Sequence, residues 1–385
     1  MDRRPFLKKT AALFGLGWIG YHGVDEFSFP RPSVPSDEAV RDDAVDQLSP
    51  YSKLAEYTTM RGQLVECHMC PHECVLGETD RGLCRTRVVK GGKLRTMAYG
   101  NLCAYAIDPI EKKPLYHFMP QTGIVSVAMG GCNLRCPNCQ NWQISQANPE
   151  DVASIYMTPS ELVSSAQDGR VPSIAYTYTE PVVCFEFVKD TAQLAKNAGI
   201  KNVLVTAGYI NREPLRQLAK VLDAVQLDIK SFDDRLYRSM ARGRLDPVLR
   251  SLLVLKEEGV WIEVSFLMVT GVTDEPDQVM GFARWVVSNL GADVPLHLLR
   301  FFPSHRLTHL SPTPVSVMQR ALDSARAAGL RYVYLGNAPG ASDTRCPNDQ
   351  ELLIERRGYQ ITSNKLRNGS CPRCGTKIAG IFAEA

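Results

Sequence analysis

From residue 123 onward, short apolar runs alternate with longer segments in which apolar residues recur every three to four positions. The runs at 124–129, 173–178, 202–206, 224–229, 261–268, 295–301 and 331–335 are rich in Val, Ile, Leu and aromatic residues and too short for helices. They predict strands buried on both faces. The intervening segments predict helices, and several open on clear start signals. Thr158-Pro159-Ser160-Glu161 combines an N-cap, a proline at the first helical position and a glutamate placed for a capping box. Asn211-Arg212-Glu213-Pro214 and Thr313-Pro314 are two further starts. Leu215, Leu218, Val221 and Leu222 then recur at helical spacing, as a face packed on a sheet requires. Repeated strand–helix units force parallel strands joined by right-handed crossovers. The prediction is an α/β fold, a partial (β/α)6 barrel, for which this region is long enough while being short for a closed eight-unit one.

In such a barrel, chemistry belongs at the C-terminal ends of the strands. The loop after the first predicted strand reads Gly130-Gly131-Cys132-Asn133-Leu134-Arg135-Cys136-Pro137-Asn138-Cys139. Thr179-Glu180-Pro181 follows the second strand, and Asp228-Ile229-Lys230 closes the fourth. His297 and Arg300 lie near the end of the sixth, and Asn337 follows the last. Polar residues from five strands are thus expected around one mouth.

Cys132, Cys136 and Cys139 carry the most specific signal. Three thiolates on one short loop can hold three irons of a 4Fe–4S cube and leave the fourth iron open, whereas cubes that only pass electrons usually have four cysteines. A zinc knuckle is the competing reading, but zinc sites usually show paired C-x2-C units.

This loop, together with Asp108-Pro109-Ile110-Glu111-Lys112-Lys113-Pro114-Leu115-Tyr116-His117-Phe118, Gln140-Asn141-Trp142, Tyr176-Thr177-Tyr178-Thr179-Glu180-Pro181 and Asp228-Ile229-Lys230-Ser231-Phe232, resembles the radical S-adenosylmethionine (SAM) protein of the AmmeMemoRadiSam group, which is related to pyruvate formate-lyase activating enzyme. The similarity runs from about residue 60 over most of the chain. It implies a radical SAM barrel with small cysteine-rich metal modules before and after it. It also implies a 4Fe–4S cluster on Cys132, Cys136 and Cys139, with SAM chelated to the open iron and cleaved to a 5′-deoxyadenosyl radical. Glu180 with Pro181 resembles the Gly-Gly-Glu-Pro element that fixes the SAM amino group. Asp228 and Lys230 resemble an Asp-x-Lys element that contacts SAM. A carboxylate suits the ammonium and a lysine suits the carboxylate. The chain departs from the pattern at Tyr178 and Thr179, which replace two glycines, at Asn138, where an aromatic residue is common and Trp142 is a substitute, and at Ala207, where the family carries Asn.

Two flanking segments add metal chemistry. Before the barrel, Cys67, Cys70, Cys74 and Cys84 can close either a structural zinc site or a second iron–sulfur cluster, and spacing does not decide between them. After it, Cys346-Pro347-Asn348-Asp349 and Cys371-Pro372-Arg373-Cys374 resemble two halves of a zinc ribbon with Asp349 at one ligand position. Three cysteines and one aspartate can hold zinc, and a ribbon that has lost its metal is the alternative. Most of the twelve cysteines fall in such groups, which reads as metal binding rather than a disulfide framework. Cys103 and Cys184 stand alone and read as small buried side chains.

Composition adds limits. With 44% hydrophobic and 22% charged residues this is an ordinary globular chain. A net charge of +3 gives no support to a strongly electrostatic nucleic-acid partner. Arg3-Arg4-Pro5-Phe6-Leu7-Lys8 and the apolar stretch after it match a twin-arginine export signal over residues 1–24, followed by a linker over 25–59. No clear cleavage site follows, so a membrane tether through the N-terminus is expected, with a cytoplasmic location as the alternative because SAM is made there. The expected organisation continues with a four-cysteine module over 60–120, the barrel over 121–340 and the ribbon-like tail over 341–385. The function expected is a radical SAM enzyme acting on a protein or peptide, served by an electron donor such as flavodoxin or ferredoxin. Three alternatives stand beside it: a glycyl-radical enzyme activase, an RNA-modifying radical enzyme, and a non-enzymatic iron–sulfur electron carrier.

Overall fold

The computed structural model describes residues 51–382; the twin-arginine segment and most of the linker lie outside the described residues. Seven parallel strands run in chain order across one open sheet: β1 (Gly123–Met129), β2 (Ser173–Tyr176), β3 (Lys201–Thr206), β4 (Ala224–Ile229), β5 (Trp261–Met268), β6 (Leu296–Arg300) and β7 (Val333–Gly336). Six helices of eight residues or more link them: α1 (Pro159–Asp168), α2 (Phe185–Asn197), α3 (Arg212–Ala219), α4 (Leu245–Glu257), α5 (Pro276–Asn289) and α6 (Val315–Ala327). The chain thus forms six strand–helix units, as the pattern predicts, and a seventh strand follows the last helix. At the β1 edge the antiparallel strand Asn101–Pro109 and then Ile155–Tyr156 extend the sheet to nine strands, and no ladder joins its two ends.

Local chemistry sets these elements. At α1 the Thr158 hydroxyl accepts from the Glu161 amide at 3.2 Å while the Glu161 carboxylate accepts from the Thr158 amide at 3.0 Å, the capping box the sequence implies. Leu162, Val163 and Ala166 then face the core. α3 ends at Ala219, so Val221 and Leu222 lie in the turn beyond it, although both are buried. β2 stops at Tyr176 rather than at Tyr178 because Tyr178 turns to φ 63°, a left-handed conformation that ends the extended run.

Segment 110–119 closes the N-terminal end of the barrel. Ile110, Leu115 and Phe118 pack on Ile124, Ala175, Val203 and Ala224, which lie in the opening residues of β1 to β4. The buried Glu263 carboxylate of β5 accepts from the Tyr116 and His117 amides at 2.9 and 2.8 Å. His297 sits 2.7 Å from the same carboxylate. His297 therefore serves this floor through Glu263 and is not one of the mouth residues the sequence suggests. Arg300 donates to the Thr313 carbonyl at 2.7 Å and shapes the loop after β6.

The C-terminal module is a three-stranded antiparallel sheet of Thr344–Arg345, Leu352–Arg357 and Gln360–Asn364, followed by a cysteine-bearing turn. It locks the floor from below. Arg356 donates to the Tyr116 carbonyl at 3.0 Å, and the Met119 amide donates to the Ile381 carbonyl at 2.6 Å. The His117 Nδ1 lies 2.6 Å from the Ala379 carbonyl and Nε2 lies 2.5 Å from the Tyr334 hydroxyl. A carbonyl can only accept, so Nδ1 carries the proton and Nε2 accepts from Tyr334.

Burial pulls the pKa of His117 down from 6.5 to about 4, so the neutral ring just described is the folded form at neutral pH. The unfolded chain takes up a proton near the ordinary value and the folded chain does not. Stability is therefore fully present above about pH 6.5 and is lost as the pH falls toward 4, by up to about 1.4 kcal/mol per pH unit. The denaturant midpoint of the wild type should fall more steeply across this window than that of His117→Asn, which keeps a donor for Ala379. Equal slopes in chemical denaturation series would show that this contact does not titrate.

Candidate radical site at the barrel mouth

The cysteine loop leaves β1 through Gly130 and Gly131. Gly131 has φ 104°, and a Cβ there would lie 2.6 Å from Thr86 Cγ2 and 2.7 Å from the Cys84 carbonyl oxygen. Only glycine fits this approach. The Cys132 amide donates to the same Cys84 carbonyl at 3.1 Å, and the Gly131 amide donates to Ile144 at 2.9 Å. Arg135 donates to the carbonyls of Cys132 and Leu134 and reaches back to Leu83. The loop after β6 clasps the other side: Ser304 donates to the Cys139 carbonyl at 3.1 Å, and the Arg306 amide donates to the Pro137 carbonyl at 2.8 Å. Sequence reasoning did not identify this clasp, because neither contact needs a diagnostic side chain in the loop.

All three cysteines of the loop are free thiols. Burial, then the Glu180 charge, pushes the Cys132 thiol well above its ordinary value. Burial pushes Cys136 up to about 11, although Lys230 beside it pulls the other way. Without a metal ion Cys132 and Cys136 hold their protons; metal binding would release them.

Glu180 is buried, 2% exposed, at the end of β2. Its carboxylate accepts from the Thr206 hydroxyl at 2.5 Å and the Ala207 amide at 2.8 Å, and more weakly from the Val182 amide at 3.4 Å. Burial outweighs these bonds and raises its pKa. Thr206 and Ala207 close β3, so this glutamate ties two strand ends together while its charge still reaches Cys132 and Lys230. Asp228 accepts from Ser265 at 2.8 Å and from Lys230. Burial pulls Lys230 down, but the Asp228 charge and hydrogen bond raise it overall, so it stays a cation. The predicted residues Cys132, Cys136, Glu180, Asp228 and Lys230 are therefore brought within electrostatic reach of one another, from the ends of β1, β2 and β4.

Tyr178 pays for its left-handed φ with side-chain contacts. Its hydroxyl donates to Asp108 and its ring lies under the Lys113 ammonium at 4.5 Å, while its carbonyl accepts from Asn141 at 2.8 Å. Glycine would hold this φ without strain, which explains a glycine in the related motif. Trp142 is partly exposed and stacks on His305 at 5.1 Å. Tyr237, which sequence reasoning missed, is fully buried among Lys230, Cys136, Asp228 and Glu180, and its hydroxyl has no hydrogen-bond partner among the described residues. An orphaned donor at this depth fits a site built to receive a polar ligand. The free thiols fit an iron–sulfur cluster, and the Lys230 cation and this hydroxyl fit a polar ligand beside it.

The flanking cysteines fall into two arrangements. The ligand atoms of Cys346, Asp349, Cys371 and Cys374 all lie within 4.8 Å of one another. The Cys346 and Cys374 sulfurs are 3.5 Å apart, and the Cys371 sulfur is 3.8 Å from either Asp349 oxygen. Four sulfurs at ~2.3 Å from one ion would be roughly 3.8 Å apart, so this set has tetrahedral dimensions. Cys67, Cys70, Cys74 and Cys84 line a single cavity in the N-terminal module. His72 is not needed there as a ligand, since its Nε2 lies 2.7 Å from the Asn133 carbonyl. Among the lone cysteines, Cys184 is buried and Cys103 donates to the Ala128 carbonyl at 3.4 Å.

Comparison with known proteins agrees with this geometry. Residues 126–286 match the radical SAM superfamily. An uncharacterized protein of Methanocaldococcus jannaschii is 43% identical over 326 residues, covering 84% of this chain and 97% of that protein. The pyruvate formate-lyase 1-activating enzyme of Escherichia coli is 26% identical over 155 residues, covering 38% of this chain and 61% of the enzyme. The (2S)-3-sulfopropanediol dehydratase activating enzyme of Klebsiella oxytoca is 24% identical over 123 residues, 32% of this chain and 39% of that enzyme. With its cysteine loop at the mouth of a parallel barrel, the chain belongs to the radical SAM superfamily and is an enzyme of the radical SAM type.

Proposed function

We propose that this protein cleaves SAM reductively at a 4Fe–4S cluster held by Cys132, Cys136 and Cys139, and uses the resulting radical on a protein or peptide substrate. The observation that carries the reading is the gathering of three free thiols, Glu180, the Asp228–Lys230 pair and the unpartnered Tyr237 hydroxyl at one mouth. When bound, the cluster supplies one electron to the sulfonium of SAM, which divides into methionine and a 5′-deoxyadenosyl radical. The chain's own residues do the rest. Lys230 offers a cation to a carboxylate, and Asp228 and Glu180 offer anions to an ammonium. Tyr237 offers a neutral donor. The wall of buried side chains behind them excludes water from a radical that would otherwise be quenched.

A glycyl-radical activase is the second reading. It is favoured by the relatives that are activating enzymes and by the Asp-x-Lys element at the end of β4. The additional cysteine modules count against it. We also propose that Cys346, Asp349, Cys371 and Cys374 hold a structural zinc ion, on the strength of their tetrahedral spacing.

Three outcomes test these readings. The anaerobically reconstituted, reduced protein should release 5′-deoxyadenosine from SAM, and replacing Cys132, Cys136 and Cys139 together by Ala should abolish it; cleavage that persists in the triple variant would sink the assignment. Glu180→Gln and Asp228→Asn should weaken SAM binding by about ten- to a hundredfold, the ~1.5–3 kcal/mol of a charge-assisted hydrogen bond, with iron content unchanged. Unaltered SAM affinity in both variants, read by equilibrium dialysis, would place the amino-acid end of SAM elsewhere. Cys346→Ala with Cys371→Ala should lose one zinc per chain by elemental analysis and destabilise the floor; a zinc content equal to that of the wild type would show that the ribbon is empty.

A further inference from the structure

The four cysteines of the N-terminal module come from several places. Cys67 ends the strand Leu64–Cys67, Cys70 and Cys74 lie in the turn before Val75–Leu76, and Cys84 precedes the strand Arg87–Lys90. All four are free thiols, and all four line one cavity together with Met69, Leu76 and Arg87. Four unbridged thiols around a common cavity describe a metal site, and the question is which metal.

The spacing of the sulfurs separates the candidates. On a single tetrahedral ion every ligand atom lies close to every other, as in the C-terminal quartet. Among the described residues that quartet is the only group in which three or more metal-ligating side chains converge in this way. The N-terminal four do not, although they share a cavity. Neither do Cys132, Cys136 and Cys139, the loop that carries the superfamily's cluster. A cluster binds each thiolate at a separate iron, and the thiolates radiate outward from its corners, so its ligands stand further apart than those of one ion. In not converging within one ion's reach, the N-terminal quartet is like the barrel loop and unlike the C-terminal quartet.

The surroundings agree. Arg87 is 2% exposed and lines the cavity. Its Nη2 donates to Glu186 at 2.9 and 3.2 Å, but its Nε is buried with no partner, leaving one N–H free for a sulfur acceptor. Hydrogen bonds to sulfur are a main control of cluster potential. The module also touches the radical site directly, because the Cys84 carbonyl accepts from the Cys132 amide at 3.1 Å. One backbone hydrogen bond separates a residue of each site.

We propose that Cys67, Cys70, Cys74 and Cys84 hold a second iron–sulfur cluster, through which electrons reach the barrel site. An external low-potential one-electron donor of the ferredoxin or flavodoxin class is oxidised by one electron at this module. The electron then passes to the barrel cluster, which is reduced by one; no bond is made or broken and no proton moves. The binding claim stands apart from the proposed SAM cleavage, whereas the electron route rests on it.

The test uses the full-length protein, reconstituted anaerobically with ferrous iron and sulfide. The Cys132→Ala/Cys136→Ala/Cys139→Ala variant should keep about half of the wild-type iron and sulfide and show a reducible iron–sulfur signal by electron paramagnetic resonance. No iron in this variant, with zinc in its place or with no metal there, overturns the proposal. If that variant does not fold, Cys70→Ser/Cys74→Ser decides: about half of the iron should be lost while the barrel cluster's signal remains, and an unchanged iron count overturns the proposal. In the same variant, reduction of the barrel cluster by reduced flavodoxin should slow at least tenfold. An unchanged rate overturns the electron route even where the second cluster is found. Because the iron counts need no SAM, they succeed or fail independently of the SAM-cleavage assay.

Discussion

The close approach of Gly131 to Cys84 is the contact on which the rim of this barrel depends. A single Cβ at Gly131 would collide with Thr86 and with the Cys84 carbonyl. That carbonyl in turn receives the amide of Cys132. The first ligand of the barrel loop is thus placed by the backbone of the preceding module, not by the barrel alone. Arg135 and His72 repeat the connection from either side, through the carbonyls of Leu83 and Asn133. Separating the module from the barrel would leave backbone donors and acceptors of both without partners, a cost that buried polar groups impose heavily.

At the mouth the charges of Asp228, Lys230 and Glu180 are all paired or hydrogen-bonded, while the Tyr237 hydroxyl has no partner among the described residues. Asp228 and Lys230 satisfy each other across one strand end. A ligand carrying an ammonium and a carboxylate on the same carbon offers each of them the opposite sign. The pair can therefore open toward such a ligand without stranding a buried charge, which is the expensive outcome. Glu180 is less free, because the Thr206 hydroxyl and the Ala207 amide already occupy both of its oxygens. Ala207 contributes only its backbone amide to Glu180, where an asparagine would bring a polar side chain as well.

Much of this architecture was legible from hydrophobic spacing, because parallel strands buried on both faces leave continuous apolar runs and the helices open on capping residues whose bonds are local. The Thr158–Glu161 box is such a case. The cysteine loop was legible for the same reason: its chemistry is written in adjacent residues. What escaped depends on partners distant in sequence. His297 resembles a mouth residue by its place in β6, yet its partner Glu263 turns it toward the floor. Tyr237 lies in a π-helical turn, Tyr237–Ala241, that no periodicity signals. The antiparallel strand Asn101–Pro109 also went unseen, since its order comes from pairing with β1. Whether the ligand atoms of a cysteine set converge within reach of one ion is likewise invisible in C-x2-C spacing, which fixes neighbours along the chain and not distances across a cavity.

The floor has a consequence of a different kind. His117 and Ala379, which meet through a single ring nitrogen, stand 262 positions apart in the chain. During synthesis the segment that plugs the barrel emerges long before the ribbon that pins it. Both cysteine sets near the rim are complete on the nascent chain while the opposite end still lacks its lock. Order of synthesis therefore runs from the cysteine-bearing rim to the base, and the ribbon's contacts with the floor cannot form until the last part of the chain has emerged.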